Sequence, residues 1–470
     1  MDFPYRTLLF SSLLFSLSLL SVLSHSNFSP IDNYLVDCGS TVDSSVDYRR
    51  FVADSSSSNS PGFSFSSRSV SLRDENAVAG SSSQLYDTAR VFSRPSKYEF
   101  EIRDEGTHMV RLHFQNLKSS KFDSDYAQFH VLIDDFVVLS NFSVGNSIGT
   151  SVVKEYLIWV GSDKLVIRFI PAQISKFAFV NAIEVISAPK DLVPETAKYL
   201  FSEKIEDFDG LGRQALEVVH RVNIGGPKVT PFNDTFFRTW LPDNEFLESS
   251  FVPERVYFAG RINYLKGGAS REVGPDNVYK TARVIRSRNS SIPKINMTWE
   301  FPVIEGYKYL VRMHFCDIAS ISLGLLYFNV HVNGHMAYKD LDLSTVANFY
   351  LASPFYADFV VDSDDSGVLK VSVGPSNSSV PYAIDGILNG VEIMKMNNSM
   401  RSLDGPFCPG FVLRSWPAGH TGFLVPLVAA VCLLLSISMI LRRKMFGTRE
   451  TFGWSKLPVN VSEINMKNGF

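Results

Sequence analysis

The side chains able to do chemistry fall into a few groups. His331 and His335 stand four apart in HVNGH. On a helix that spacing would put two imidazoles on one face, within reach of a zinc ion. Asn333-Gly334 lies between them, however, and that dipeptide signals a two-residue hairpin turn. The two histidines are therefore expected on neighbouring strands and not in a metal site. Adjacent carboxylates occur at Asp134-Asp135 and Asp364-Asp365. Glycoside hydrolysis needs two carboxylates about 5–10 Å apart across the scissile bond. Neighbours along a strand point to opposite faces, so Asp134 and Asp135 do not make such a pair. DSDDSG, 362–367, reads as a solvated turn without the ligand spacing of a calcium loop. The sequence holds no Gly-x-Ser-x-Gly elbow, no Gly-rich phosphate loop, no His-Arg-Asp loop and no Asp-Phe-Gly. DFDG, 207–210, lies in a charged linker. The reading is a non-enzyme, with no catalytic, cofactor-binding or metal residue. Phe236, Phe237 and Trp240 form an aromatic group that could stack on a sugar ring. With 37 phenylalanines in the chain, core or interface packing is the preferred reading.

Four cysteines are spaced widely, at 38, 316, 408 and 432. Two readings of Cys316 stand side by side. It pairs with Cys408, closing a loop of about 90 residues worth up to roughly 4–5 kcal/mol in the chain-entropy model. Or it is a buried free thiol.

The elements that must position these residues are written twice. TARVF (88–92) returns as TARVI (281–285), and VRLHF (110–114) as VRMHF (311–315). FHVLID (129–134) returns as FNVHVN (328–333), KLVIRFIP (164–171) as VLKVSVGP (368–375), and NAIEVI (181–186) as NGVEIM (389–394). The order is kept, and the offsets run from 193 to 208. That period is too long for a solenoid unit, so it marks a duplicated domain. In 327–332, Phe328, Val330 and Val332 alternate with polar residues, the period of a half-buried strand. Spaced strands with Pro, Gly, Ser and Asn between them predict an all-β chain of two tandem sandwich or jelly-roll domains. The predicted limits are 30–187 and 215–396, with a linker at 188–214 and a stalk at 397–421. QALEVVHRV (214–222) is the one helix-like patch. In YLVRMHFCDI, Val311, Met313 and Phe315 should face one side, and Arg312, His314 and Cys316 the other.

Both ends carry targeting signals. Residues 1–26 read as a secretory signal peptide, apolar from 8 to 23 and followed by Ser24-His25-Ser26. Residues 422–441 are uncharged and are followed at once by Arg442, Arg443 and Lys444. Such a stretch matches a bilayer core of about 30 Å, and the basic cluster marks its cytoplasmic side. The expectation is a single-pass type I protein of the plasma membrane, with its N-terminus outside and a tail at 442–470. Seven Asn-x-Ser/Thr acceptors fall between the two segments, at Asn27, Asn141, Asn233, Asn289, Asn296, Asn377 and Asn397. A net charge of −3 gives no field for nucleic acid.

YLVDCGS (34–40), YDTARVF (86–92), FVNAIEV (179–185), VNIGGPKVTPFNDTFFRTW (222–240), YLVRMHFCDI (309–318) and LNGVEIM (388–394) together resemble the plant malectin-like receptor kinases, the FERONIA and THESEUS group, and the THESEUS-like branch in particular. The resemblance covers about 30–396. It implies two malectin-like β-sandwiches at the cell surface, in growth and wall-integrity sensing. It implies as partners a secreted peptide of the rapid alkalinisation factor type, wall pectin, or both, with a GPI-anchored co-receptor. Full members carry a cytoplasmic Ser/Thr kinase, which 1–470 does not contain. A fragment of such a kinase, a receptor acting through a partner, a decoy and a wall-to-membrane tether are the readings open at this point.

Overall fold

The computed structural model describes residues 28–55, 62–66, 68–75, 84–123, 126–145, 151–173, 176–201, 204–248, 252–287, 291–292, 294–416 and 421–445. The signal-peptide segment, Asn27, Asn289 and the 446–470 tail lie outside the described residues.

All ten repeated stretches are strands but for a single end residue in four of them, Asp134, Asn181, Asn333 and Asn389. Their alternating apolar residues fill two separate cores. The first gathers Val36, Phe92, Tyr98, Phe100, Leu112, Phe114 and Phe129, and the second Trp299, Phe301, Val311, Met313, Phe315 and Phe328. Strand pairing repeats as well. Gly106–Phe114 lies between Ala182–Ser187 and Val152–Val160, and Lys308–Cys316 lies between Gly390–Met396 and Pro354–Asp362. A five-stranded and a three-stranded sheet complete the first sandwich, and a four-stranded and a three-stranded sheet the second.

The inner layers of the two sandwiches are one object, a continuous 13-stranded sheet. Leu216–Asn223 joins them. Its start pairs with the first domain (Tyr156↔Glu217, Leu157↔Leu216), and its length pairs with the second (Leu216↔Met396 to Asn223↔Gly390) across a bulge between Val218 and His220. This is the patch that looked helical in sequence. The β-branched Val218, Val219 and Val222 suit a strand, and two neighbours claim its backbone hydrogen bonds. A third apolar cluster fills the junction, with Leu157, Leu211, Leu216, Leu310, Val360 and Met394.

Two connecting segments are more ordered than their composition suggested. Within the 188–214 linker, Thr196–Phe201 and Lys204–Asp209 form a hairpin that adds to the second domain's part of the sheet. The stalk does not stand free over 397–416. Ser402 bridges Val137, Leu403 enters the first core, and the short helix Pro409–Ser415 packs Val412 against Leu132, Val137 and Ile170.

Residues up to Trp416 form one compact unit, and 417–470 a second. The second contains a helix, Thr421–Met445, with Arg442, Arg443 and Lys444 in its last turn. Side chains in it are described from Val428 onward, and among the described residues no helix is long and apolar enough to cross a membrane.

Candidate functional site at the seam between the sandwiches

One face of the 13-stranded sheet supplies the apolar cores. The strands' other residues point to the opposite face, and at the centre they are charged. Arg111 and His113, with Arg312 and His314, come from the repeated VRxHF strands, and Glu184 and Glu392 from the repeated NAIEVI and NGVEIM strands. Residues 229–240 and 262–279 of the second domain fold over this face. The charges are therefore buried and must be paired.

All but Arg312, which pairs with Asp358 at 2.7 Å, join one ladder across the domain boundary. Arg49 Nη1 lies 2.5 Å from Glu184 Oε2, and Arg111 Nη1 2.9 Å from the same oxygen. Arg111 Nε meets Glu155 at 2.7 Å, Arg221 Nη2 meets Glu155 at 2.7 Å, and Arg221 Nε meets Glu392 at 2.8 Å. Glu155 belongs to the first domain and Glu392 to the second, so Arg221 on the shared strand ties them. Arg111 Nη2 also donates to the Phe236 carbonyl at 2.7 Å, anchoring the overlying segment. Burial alone would raise the Glu155 carboxyl; the Arg221 and Arg111 guanidiniums overcome it and hold the group at about 2. Glu184 and Glu392 are held down in the same way, against burial, by Arg111 and Arg221 respectively.

Each domain adds the same triad to the ladder. Tyr86 bonds His113 Nδ1 at 3.0 Å, and His113 Nε2 bonds Glu184 at 2.9 Å. Tyr279 bonds His314 Nδ1 at 3.0 Å, and His314 Nε2 bonds Glu392 at 3.1 Å. In form this is an acid–base relay. In the second domain all three side chains are sealed from solvent, and burial lowers the His314 pKa, so no substrate reaches them. The triads act as framework, fixing the seam with every ring nitrogen satisfied.

Where the covering segment ends against the first sandwich, the seam opens. A cavity of about 400 Å³ is lined by Phe28, Asn33, Thr235, Phe236, Phe237 and Arg271 among others. Phe28 and Phe236 stack at 5.5 Å. Phe237, held at φ 54°, lies under the Arg49 guanidinium at 4.4 Å. Beside it, Tyr48 of the first domain and Phe232 of the second touch ring to ring at 5.3 Å while 90% and 63% exposed. Two exposed aromatics held together across the domain boundary, next along the chain to Arg49, have the composition of a recognition hot spot.

The aromatic group singled out from sequence divides here. Trp240 is fully buried, its indole N–H donating to Asp234 at 2.9 Å, and Phe236 is 2% exposed. Phe236 and Phe237 both line the cavity, but only Phe237 is more than marginally exposed. Packing accounts for the other two. Sequence reasoning passed over Tyr48, Phe232, Phe28 and Arg49; their local context is that of ordinary loop residues. The buried ladder left a stronger signal, since charged residues recur at alternate positions inside core strands in both repeats.

The remaining candidates are placed plainly. His331 and His335 flank the Asn333-Gly334 turn, both turn residues at positive φ, as the dipeptide implies. Asp134 is in a hairpin turn, not a strand, and its Oδ1 accepts from Val166 N at 2.8 Å. Among the described residues no group of three or more His, Cys, Asp or Glu is arranged to hold a metal. Asn141, Asn233, Asn296 and Asn377 are exposed; Asn397 is half-buried, its Oδ1 accepting from Ala215 N at 2.8 Å. Cys316 and Cys408 are not joined. Cys316 is enclosed with Ile262, Ala269, Val273 and Tyr279 under the second domain's covering segment, whereas Cys408 starts the helix packed on the first domain. That docking is the physical reason the pairing fails: the segment carrying Cys408 returns to the other sandwich.

Comparison with known proteins follows the same outline. The family description "Malectin-like domain" matches residues 36–396. The probable receptor-like protein kinase At5g24010 of Arabidopsis thaliana is 42% identical over 467 residues, covering 97% of this chain and 55% of its own length. Receptor-like protein kinase HERK 1 of the same plant is 37% identical, covering 97% of this chain and 54% of its own length. The chain thus spans about half the length of these relatives. Among solved structures, the plant peptide RALF23 in complex with FER and LLG2 contains a chain that superimposes with a TM-score of 0.69 at 28% identity, covering 81% of this chain and 99% of that one.

Proposed function

The chain belongs to the plant malectin-like receptor kinase family, and from that premise we propose that it is a cell-surface receptor ectodomain that recognises a secreted peptide at the seam between its sandwiches. The observation carrying this reading is the exposed Tyr48–Phe232 pair, one ring from each domain. The two rings come from different domains, yet the ladder and the shared sheet hold them in one geometry, so little ordering remains to be done on binding. A family member crystallised with RALF23 and LLG2 supports a peptide of the rapid alkalinisation factor type, with a GPI-anchored co-receptor. Exposed aromatic faces also suit pyranose rings, which keeps wall pectin as the second ligand class.

Residues 422–441 are read as a single transmembrane span at the plasma membrane, N-terminus outside. At 1.5 Å rise each, 20 helical residues would span about 30 Å, the thickness of a bilayer core. The 20 residues from 422 to 441 carry no charge, and three basic residues follow. N-glycans at the outer acceptors, Asn141, Asn233, Asn296, Asn377 and Asn397 as well as Asn27 and Asn289, belong to the same topology.

The test is titration of the full chain with a rapid alkalinisation factor peptide and with demethylated pectin fragments. Micromolar or tighter peptide binding, weakened about tenfold or more by Tyr48→Ala with Phe232→Ala, is the expected result. Binding of neither ligand removes the recognition reading. Pectin binding alone replaces the peptide with the glycan.

A further inference from the structure

The 13-stranded sheet ends differently on its two sides. At the first domain its last strand is Ser44–Val46, three residues long. At the second domain it ends on Lys204–Asp209, a six-residue strand with a neighbour on one side only. Alternate residues of such a strand turn their N–H and C=O groups outward, unpaired. Side chains do not cover this edge. Lys204, Ile205, Glu206, Asp207 and Asp209 are all exposed. Ile205 stands opposite Leu200, which is buried in the second core, so the apolar row continues one strand further and stops uncovered at 49% exposure. Phe201 is 58% exposed on the other face.

The charges decide what fits. Lys204 opposes Glu206, Asp207 and Asp209, which leaves the strand at −2 (one positive against three negative). Asp207 is paired with Lys198 at 2.6 Å, while Glu206 and Asp209 have no partner among the described residues. A second copy of this chain pairing edge to edge would bring one −2 strand against another, which disfavours self-association. Glu206 shares a face with Phe201, and Asp209 shares the other with Ile205, so an added strand of lysines or arginines among apolar residues would meet a free carboxylate on either face and cover the apolar side chain opposite.

We propose that the Lys204–Asp209 edge is a docking site for an extended basic segment of a partner protein, added as a further antiparallel or parallel strand. This surface is separate from the Tyr48–Phe232 seam, and the inference does not require that site.

The probe is a labelled synthetic peptide, Lys-Val-Lys-Val-Lys-Val-Lys, titrated against the full chain, with hydrogen exchange followed at residues 204–209. Saturable binding is expected, with slowed exchange at those amides. Glu206→Lys with Asp209→Lys should weaken it about tenfold or more, and should admit the Glu-Val counterpart peptide instead. Both carboxylates are exposed and unpaired, so the fold does not depend on them. Tyr48→Ala with Phe232→Ala should leave the binding unchanged, which separates this site from the seam. Absence of binding at millimolar peptide, or binding without slowed exchange at 204–209, overturns the proposal.

Discussion

The two sandwiches hold the same Tyr–His–Glu triad in different surroundings. In the first, Tyr86 is half-buried at the surface; in the second, Tyr279 and His314 are completely enclosed. The triad geometry is nearly identical, so the difference lies in what covers it. Trp240 lies edge-on to His314, and Ile262, Ala269 and Val273 pack with Tyr279 and Cys316, whose counterpart Gln115 is half-exposed. Both backbone amides donate the same bond, Gln115 N–H to Asn181 Oδ1 and Cys316 N–H to Asn389 Oδ1. A third matched pair is Asp37 and Asn223, which accept from Thr88 and Thr281. Duplicated residues that bond the backbone stay alike. Those whose surroundings changed differ in size or charge. A thiol suits position 316 because the cover made it dry.

The largest expected effect comes from Arg221, which belongs to both halves. Arg221→Ala leaves Glu155 and Glu392 buried without their shared cation and should cost about 3–5 kcal/mol in urea unfolding. Loss of stability in one sandwich alone would show that the ladder does not couple them.

Gly39 and Gly225 test the sameness of the repeats. Their φ angles are 81° and 74°, and an added Cβ would sit 2.2 Å from the Ala89 carbonyl oxygen and 2.3 Å from that of Ala282. Each Gly→Ala variant should lose at least about 1–3 kcal/mol from backbone strain. A large difference between the two in thermal unfolding would break the equivalence.

Tyr279→Phe and Tyr86→Phe test the difference. The first strands His314 Nδ1 in a dry site, at about 1–3 kcal/mol. The second lets water replace the hydroxyl and should be nearly neutral. Equal losses would mean that burial does not distinguish the triads.

The smallest effect is electrostatic. Burial raises the Asp37 carboxyl from its ordinary 3.8 to about 6, so the folded state holds that proton more tightly than the unfolded state does. Its contribution is full below about 3.8 and is lost as pH rises through 6. Asp37→Asn, which copies Asn223, should remove this slope and stabilise the chain at pH 7 by on the order of 1 kcal/mol. Glu155 has the opposite sign. Depressed from 4.5 to about 2, it supports the fold above 4.5, and that support is lost as pH falls between those values. The acid limb should therefore survive in the Asp37→Asn variant, as followed by unfolding at a series of pH values.

Much of the fold was legible. HMVRLHF and YLVRMHF announce strands by alternation, and Val311, Met313 and Phe315 do face the core. Arg312, His314 and Cys316 do take the other face, but that face is dry as well, because a segment folded over it. QALEVVHRV misled because a helix and a bulged strand both accept its spacing of apolar residues. At the seam, Tyr48 and Phe232 stand 184 positions apart (232 minus 48), and no local pattern relates them.

By itself the sequence determined the duplication, the β architecture and which residues line each core, because alternation and turn chemistry act over a few residues. Tertiary structure alone decided that the two inner sheets fuse through Leu216–Asn223, that the segment around Cys408 docks on the first domain, and that Arg221 serves two carboxylates from different sandwiches. The reason is physical. Arg221 and Glu392 are 171 residues apart, and a charge is stable inside only when its partner arrives by folding.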